Sequence, residues 1–422
     1  MNILGIIAEF NPFHNGHAYL IEKARKEYQA DYCIVVMSGD FVQRGEPAFF
    51  PKEIRTAMAL QNGADLVLEL PISVSTGSAE YFAHGSVALL ERLGVVTHLC
   101  FGSEHGDITL FQKAGQVMQQ ESDAYKKELG HLLKEGCSFP AARFQALSVL
   151  GCTEKNKDYQ AILPLLKDPN NILGVEYCRA LTAQNSSITA CTITRKGAGY
   201  HDSIDNSQPF ASASGIRKMI LHNADFPISG ICEIAPFIPE NCHEFYENAL
   251  SNGDYVTTDD FFSLLQYKIL QSTPQLLNTY QDVTTDLAEK ILNVKYQAKS
   301  FTDYCEKCKS KNYTYTRISR ALLHILLEIK SEDVFMQKEQ GFVQYARILG
   351  FKKASSELLS EIKKHSSIPM LSKLSDAKNI LSETALFQLK QTIHASDLYR
   401  TVQMQKGQKE KPCEYARPII IL

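Results

Sequence analysis

The stretch that decides the fold is Asn2–Leu20, which reads NILGIIAEFNPFHNGHAYL. Its first half is a near-continuous apolar run, typical of a strand buried on both faces of a parallel sheet. Pro12 cannot donate to a sheet ladder and ends the strand. The residues after Gly16 carry apolar side chains at helical spacing. The stretch therefore predicts a buried strand, a polar loop that carries His14 and His17, and a helix.

This loop has the features of a phosphate-binding site. A helix N-terminus presents free backbone N–H groups and the positive end of the helix dipole, and both favour a polyphosphate. His14 and His17 add two imidazoles, and Gly16 has no side chain to keep a phosphate away. The alternative is that the histidines only cap the helix. The strand before the loop and the helix after it are what favour the binding interpretation.

Strands and helices alternate along the first part of the chain. Short apolar runs predict further strands at residues 32–37, 66–70, 97–101 and 187–194. This alternation predicts an α/β fold with a Rossmann-like, doubly wound parallel sheet. Ligands bind at the carboxyl ends of the strands in such sheets. We therefore expect the histidine loop and the loops at 38–46 and 102–104 along one edge of the sheet.

Cations are predicted at the same edge. The strand at 187–194 ends at Arg195 and Lys196, and Arg217 lies in a predicted helix start that also contains Ser214. Side chains of this charge are suited to neutralising phosphate oxygens. A predicted loop after Lys196 contains Gly197, Gly199 and His201.

The second half of the chain is predicted to be mainly helical. Beyond Pro239 the apolar spacing stays helical to about residue 385, and the short apolar run at 418–422 could add a terminal strand. We therefore predict two domains, an α/β domain at 1–230 and a mainly helical, locally basic domain at 231–422.

Composition limits the class of protein. No apolar run approaches the roughly 20 residues of a membrane span, so no membrane partner is expected. The 11 cysteines are scattered singly, as expected of reduced thiols in a cytoplasmic protein. Cys305 and Cys308 form the only CxxC, and with no second ligand pair at zinc spacing we assign no metal site.

The charge distribution is uneven. The whole chain carries -3, whereas Lys290–Ser375 holds 16 Lys and Arg against 8 Asp and Glu, a balance of +8. A locally basic segment on an otherwise acidic protein is consistent with a nucleic-acid-binding surface. A solvated helical face is the equally acceptable alternative.

Within the basic segment, aromatic and hydroxyl side chains alternate between Asn312 and Arg320. Tyrosine rings can stack on unpaired bases and arginines can bind phosphates. The alternative is that Tyr313 and Tyr315 pack in a helical core. The residues predicted to contact RNA are Tyr315, Arg317, Arg320, Lys352 and Lys353.

Two motifs resemble those of a known superfamily. The NPFHNGH run of the first loop is the HxGH signature of nucleotidyltransferases, and SASGIR at 212–217 resembles their second motif. The chain as a whole resembles the bacterial tRNA(Met) cytidine acetate ligase family. The matching stretches are EFNPFHNGH, VMSGDFVQRGEPA, DLVLELP, FGSEHGD, DPNNILGVEY, SASGIRK, YTYTRISR and YARILGF.

The resemblance implies that 1–230 is a nucleotidyltransferase-like ATP-binding catalytic domain and that 231–422 is a tRNA-binding domain. It also implies a two-step reaction. Acetate attacks the α-phosphate of ATP to give acetyl-adenylate and pyrophosphate. The N4 amine of the wobble cytidine, in the anticodon region of elongator tRNA(Met), then takes the acetyl group to give N4-acetylcytidine. Mg²⁺ commonly accompanies ATP, but no carboxylate cluster marks a dedicated site for it.

The resemblance also implies site residues, with His14 and His17 in the catalytic role. The ATP-binding residues would be Ile7, Ala8, Glu9, Phe10, Asn11, Pro12, Phe13, His14, Asn15, Gly16, His17, Ala18, Tyr19, Leu20, Gly102, Asn170, Arg195, Ser214 and Arg217. Asn171 is the adjacent alternative to Asn170. Each has a structural alternative: Gly102 could serve a turn, Asn170 and Ser214 a helix start, and Arg195 solvent.

Two other functions are open at this point. A small-molecule adenylyltransferase of cofactor biosynthesis, of the pantetheine phosphate or nicotinamide mononucleotide type, would share the HxGH sheet. It would not need a basic helical half. A non-enzymatic RNA-binding protein would keep the fold without catalysis, but the intact HNGH loop argues against it.

Overall fold

The computed structural model describes residues 1–153, 157–196, 209–222, 231–407 and 410–422. The predicted loop residues Gly197, Gly199 and His201 lie outside these ranges. The strands are β1 Ile3–Ala8, β2 Tyr32–Ser38, β3 Phe41–Val42, β4 Glu46–Pro47, β5 Leu66–Leu70, β6 His98–Ser103, β7 Thr189–Thr194, β8 Ala346–Phe351, β9 Met370–Leu371 and β10 Ile420–Ile421.

The helices of the first half surround the sheet. They are α1 Asn15–Glu27, α2 Lys52–Gln61, α3 Ile72–Ser75, α4 Ala79–Arg92, α5 Ile108–Gln119, α6 Asp123–Lys134, α7 Phe139–Thr153, α8 Lys157–Ile162, α9 Pro169–Ala183 and α10 Ala213–His222. The helices of the second half are α11 His243–Ser251, α12 Phe262–Leu270, α13 Pro274–Leu277, α14 Thr285–Val294, α15 Phe301–Cys308, α16 Tyr315–Leu326, α17 Ser331–Glu339, α18 Ser356–His365, α19 Ala377–Ile380 and α20 Glu383–Gly407.

The central sheet confirms the predicted Rossmann-like fold. Its order is β10-β8-β5-β2-β1-β6-β7, and the five strands from β5 to β7 are parallel. Strand order reverses between β1 and β6, and a doubly wound sheet binds its ligand at such a point. The histidine loop follows β1, so the fold places it at this position.

The apolar strands are explained by burial on both faces. Along β2, Ile34 and Val36 pack in one core cluster, whereas Val35 and Met37 pack in another on the opposite face. Side chains alternate between the faces of a strand, so a strand covered by helices on both sides needs apolar residues throughout. The sheet is therefore a rigid support for the loops at its carboxyl edge.

The second half departs from the helical prediction in two elements, β8 and the short β9 that pairs with it. Residues 346–351 form β8, which pairs antiparallel with β5, and β10 pairs with β8. A six-residue run of this kind cannot be assigned to helix or strand by its pattern alone. Only its pairing with β5 identifies it as a strand. The terminal strand predicted within 418–422 is confirmed as β10. The division at 230/231 stays a prediction.

A buried charge cluster joins the C-terminal residues to the sheet. Lys52 Nζ lies 2.6 Å from Glu69 and 2.8 Å from the Ser396 hydroxyl, and it also contacts Glu414. Arg347 on β8 pairs with both of those carboxylates, at 2.6 and 2.8 Å. Buried charges are tolerated only when they are paired in this way. The second half of the chain is therefore fastened to the carboxyl edge of β5.

Candidate active site

A cleft of about 660 Å³ lies beyond the carboxyl ends of β1 and β6. One side, which we call the sheet wall, contains the histidine loop, Gly102, residues 194–196 and residues 210–217. The opposite side, the helical wall, is formed by Asn312, Thr314, Thr316, Arg317 and Arg320. Residues of α4, α7 and α9 close a third side. The loops predicted at one edge of the sheet therefore do meet in one cleft.

The two histidines of the loop cap α1 for each other. The backbone N–H of Gly16 donates to His14 Nδ1 at 3.0 Å, and the backbone N–H of His14 donates to His17 Nδ1 at 3.2 Å. Their rings stack with centroids 3.8 Å apart. Because each Nδ1 accepts a hydrogen bond, each neutral ring carries its proton on Nε2. The histidines therefore do cap the helix, and this capping leaves both Nε2–H donors available.

Both imidazoles are held neutral. Burial, reinforced by the charge of Arg195, lowers the pKa of His14 to about 3. Burial, then His14 and Arg195, lowers the pKa of His17 well below its ordinary value. Near neutral pH the pair therefore offers hydrogen-bond donors, while positive charge at this wall comes from arginine and lysine side chains.

Gly16 is required by the histidine pair itself. A Cβ atom at residue 16 would lie 2.8 Å from Cε1 of His14, closer than real side chains pack. The absence of a side chain therefore makes room for the His14 ring, in addition to any room it leaves for a phosphate.

Not every residue of the predicted ATP loop faces the cleft. Those that line it are Ile7, Ala8, Glu9, Phe10, Asn11, His14, Gly16, His17, Tyr19 and Leu20. Pro12, Phe13, Asn15 and Ala18 are absent from the lining. The Phe13 carbonyl accepts a hydrogen bond from Tyr246, and the Asn15 amide donates to the carbonyls of Pro209 and Pro236 at 2.9 Å each. These residues shape the loop.

Arg195 and Gly102 lie together beside the histidines. A Cβ at Gly102 would lie 3.4 Å from Cγ of Arg195, so the arginine stem passes over the glycine. Arg195 Nε lies 3.8 Å from Glu104, and burial lowers the pKa of Arg195 despite that carboxylate. A partly desolvated guanidinium that has a single weak ion pair among the described residues is well suited to a phosphate.

The adjacent asparagines have different roles. Asn171 is buried, and its carbonyl oxygen accepts the backbone N–H groups of Glu104 and His105 at 3.0 and 3.2 Å. Asn170 lines the cleft, where its amide donates to Glu104 at 2.6 Å. Residue 168 is the N-cap of α9, so Asn170 is not a capping residue. Of the two, Asn170 is placed to reach a ligand.

The start of α10 supplies a second arginine. Ser214 and Arg217 both line the cleft, and the helix-capping bond comes from Ser212, whose hydroxyl accepts the N–H of Gly215 at 3.1 Å. The Arg217 guanidinium donates to the Asn11 carbonyl and lies 3.6 Å from Glu46. Arg217 therefore tethers the histidine loop while its charge stays at the cleft.

The helical wall is held in place by long-range contacts. Arg320 Nε donates to Asp282 at 2.9 Å, and the Ser319 hydroxyl donates to the Gly45 carbonyl at 2.8 Å. Gly45 has φ of +77°, and a Cβ there would lie 2.4 Å from the backbone nitrogen of Arg320. Only glycine allows the loop after β3 to approach α16 this closely. The turn thus fixes the separation between the two walls.

The residues predicted to contact RNA do not all lie together. Arg317 and Arg320 line the cleft. Tyr313 and Tyr315 are partly buried against the helical core, in agreement with the alternative stated for them. Lys352 donates its backbone N–H to Asp65, which precedes β5, and Lys353 follows it. Both lysines are therefore at the amino edge of the parallel strands, opposite the cleft.

Sequence reasoning missed several residues of the cleft. Arg44 and Glu46 were left without a role, and Phe139 and Asn312 were not considered, although all four are part of the lining. Glu9 was given only a binding role, yet burial raises its pKa and its carboxylate accepts the Gln43 N–H at 2.8 Å. Phe139 and Asn312 carry no motif signal, because chain folding alone brings them to the cleft.

The described residues contain neither a cluster of metal ligands nor a membrane-spanning helix. Within the described ranges, no three His, Cys, Asp or Glu side chains come together as metal ligands. Cys305 and Cys308 are buried in the helical core. In the same ranges, every helix is too short or too polar to cross a bilayer.

The chain is similar along nearly its whole length to proteins of one family. The model described as HIGH Nucleotidyl Transferase matches residues 1–412. A protein of Clostridium perfringens named tRNA(Met) cytidine acetate ligase is 42% identical over 379 residues, which cover 90% of this chain and 91% of that protein. A protein of the same name from Acetivibrio thermocellus is 38% identical over 424 residues and 100% of both chains.

A solved structure gives the same result in three dimensions. Thermotoga maritima TmcAL bound with alpha-thio ATP has a TM-score of 0.91 with this chain at 31% identity, covering 100% of both. The similarity includes the helical half, which a cofactor adenylyltransferase would not require. The chain belongs to the HIGH nucleotidyl transferase family and, within it, to the group of proteins named tRNA(Met) cytidine acetate ligase.

Proposed function

We propose that this chain is an ATP-dependent ligase that acetylates the wobble cytidine of elongator tRNA(Met). Acetate and ATP would give acetyl-adenylate and pyrophosphate, and the cytidine N4 amine would then take the acetyl group. The single observation that carries the proposal is the cleft itself. It joins a neutral histidine pair and arginines on the sheet wall to two more arginines on the helical wall.

The first step is nucleotidyl transfer. An acetate oxygen attacks the α-phosphorus in line, and the bond to the bridging oxygen of pyrophosphate breaks. His14 and His17 donate from Nε2 to phosphate oxygens, and Arg195 and Arg217 balance the charge that develops on the leaving group. Neutral donors are suited to this step because they need not lose a proton or be desolvated as ions.

The second step is acyl transfer. The cytidine N4 nitrogen attacks the acetyl carbonyl, a C–N bond forms, and the bond from the acetyl carbon to the adenylate oxygen breaks. AMP leaves and the nitrogen loses one proton, so the product is an amide. The acceptor base must therefore reach the same cleft that holds the adenylate.

The ATP assignments follow the positions of the side chains. Gly102 and Arg195 would hold the nucleotide beside the histidines, with Asn170 and Ser214 as polar contacts further along the cleft. Mg²⁺ would travel with the ATP phosphates. Among the described residues no three carboxylate or other ligand side chains come together, so no dedicated metal site is assigned.

The RNA assignments centre on the helical wall. Arg317 and Arg320 would contact the anticodon region. Lys352 and Lys353, at the opposite edge, would contact a tRNA only if it reaches around the sheet, and Tyr315 would need to leave its packed position. We keep the division into domains at 1–230 and 231–422 as a proposal, together with a cytoplasmic location, where the 11 free thiols would stay reduced.

Two measurements test the function. Purified protein with ATP should catalyse acetate-dependent ATP–pyrophosphate exchange, and no exchange would refute the first step. With elongator tRNA(Met) transcript added, mass spectrometry should find one acetylated cytidine at the wobble position. Exchange without any acetylated RNA would confine the activity to activation and refute the proposed acceptor.

A further inference from the structure

One aromatic ring of the cleft lining is about half exposed. Phe139, the first residue of α7, lines the cleft and is 45% exposed. The rings of Phe10, Phe82, Phe101 and Tyr177 also line it, but each is at most 5% exposed. Among the described residues, no other phenylalanine or tyrosine of the lining is as exposed as Phe139.

The surroundings of Phe139 place it next to the helical wall. Three residues earlier, Gly136 turns the chain between α6 and α7 with φ of +87°, and a Cβ there would lie 2.8 Å from the Asn312 side-chain oxygen. The turn and the beginning of the helical wall are thus in close approach. The Phe139 ring, the Asn312 amide, which can donate and accept, and the cations of Arg317 and Arg320 all line the cleft.

We propose that Phe139 is the platform on which a nucleobase of the RNA substrate stacks when it enters the cleft. This inference rests on the proposed function and names the part of the cleft that holds the acceptor. Unpaired RNA bases are recognised by stacking on aromatic rings and by hydrogen bonds to their edges. Cations beside the ring neutralise the phosphates that flank the stacked base.

The adenine ring of ATP is the competing occupant, and the location disfavours it. The phosphate-binding groups belong to the sheet wall, whereas Phe139 is beside the helical wall, at the turn that meets Asn312. A half-exposed ring there can receive a base from outside without displacing any packed side chain. Loss of exchange on removal of the ring would reveal an adenine platform instead.

The test compares Phe139→Leu, which keeps an apolar side chain and removes the ring, with Phe139→Tyr, which keeps the ring. The matched control is Phe335→Leu, since Phe335 is 63% exposed on α17 and is absent from the cleft lining. We expect Phe139→Leu to raise the KM for tRNA about 5- to 100-fold, the range that loss of one base–aromatic stack gives. Phe139→Tyr and Phe335→Leu should stay within about twofold of the parent in KM.

The fluorescence of a base analogue in the RNA separates loss of stacking on Phe139 from a general change in the shape of the cleft. An anticodon stem-loop RNA with 2-aminopurine at the wobble position should lose fluorescence on saturating binding to the parent and to Phe139→Tyr. Binding of Phe139→Leu, matched in saturation by anisotropy, should leave the fluorescence high. Equal quenching by Phe139→Leu, or loss of acetate-dependent exchange in that variant, would overturn the proposal. If the parent protein acetylates no RNA, the proposed function is refuted. If the parent is active and Phe139→Leu has the same KM for tRNA, only the stacking role of Phe139 is refuted.

Discussion

The sheet wall and the helical wall of the cleft are built by contacts of very different range. The histidine pair is fixed by hydrogen bonds between residues two and three apart in the chain. On the helical wall, Arg320 is fixed by a residue 38 positions away, and Ser319 by one 274 positions away. A short motif can encode the first arrangement, whereas only the whole fold encodes the second.

This difference separates the two half-reactions. The groups suited to ATP are local to the carboxyl ends of β1, β6 and β7, and the close approach at Gly45 brings α16 to face them. Activation should therefore depend on the sheet wall alone, and transfer to RNA should depend on both walls. Variants of each wall test this division, and the one with the largest expected effect is on the sheet wall.

His17→Asn should reduce acetate-dependent ATP–pyrophosphate exchange by about 10²- to 10³-fold, the usual effect of losing one donor to a developing charge. Asparagine can still accept the His14 N–H through its side-chain oxygen, so the helix cap is kept while Nε2 is lost. The control is His365→Asn, because His365 is exposed at the end of α18, beside Glu361. Full exchange by His17→Asn would remove the histidine pair from the phosphate site.

Arg317→Gln tests the helical wall. It should weaken tRNA binding about tenfold, and the slope of log affinity against log salt should fall by about one because one phosphate contact is lost. Exchange should be unaffected. The Lys352→Gln/Lys353→Gln pair serves as the comparison from the opposite edge. If the lysine pair lowers the salt slope and Arg317→Gln does not, the RNA binds at the amino edge of the sheet and not at the helical wall, which would contradict our proposal.

The same difference explains what the sequence could predict. The parallel sheet, the histidine loop and the position of Arg195 follow from periodicity and from residues next to one another in the chain. The strand β8 could not be predicted, because six residues that are apolar except for Arg347 show no period that separates strand from helix until β5 is beside them. The partition between Asn170 and Asn171 needed Glu104, whose carboxylate accepts from Asn170 66 residues away and whose backbone N–H donates to Asn171 67 residues away.

Charge patterning in the basic segment was a weaker guide than spacing. Lys352 and Lys353 belong to the same basic stretch as Arg317, yet the antiparallel course of β8 carries them to the other edge of the sheet. A count of charges along a segment does not indicate which edge of the sheet each charged residue reaches. Phe139 and Asn312 illustrate the converse, since neither had a signal in the sequence and both are in the cleft.

Asp282→Asn should have a smaller effect than the loss of an arginine. Arg320 and His324 hold the pKa of Asp282 below its ordinary value, although burial alone would raise it. The neutral amide keeps the shape but weakens the ion pair that orients Arg320. We expect the KM for tRNA to rise about fivefold with kcat little changed, because an ion pair of this kind is worth about 1 kcal/mol. A fall in kcat with constant KM would show that Asp282 acts on chemistry instead of on RNA placement.

The smallest expected effect is that of pH on the sheet wall. Since the pKa of His14 is about 3 and that of His17 lies well below 6.5, both rings stay neutral from pH 6 to 8, and exchange at saturating ATP and acetate should change by less than about twofold. The same shift has a stability cost at lower pH. Unfolded histidines bind protons below about 6.5 that the buried rings refuse, so the free energy of unfolding should decrease as pH falls below that value. A fall in exchange as pH rises through about 6.5, absent in His14→Asn, would mean that a charged imidazole binds the phosphate. The sheet wall would then take its charge from histidine, and the distinction between neutral donors and separate arginine cations would be wrong.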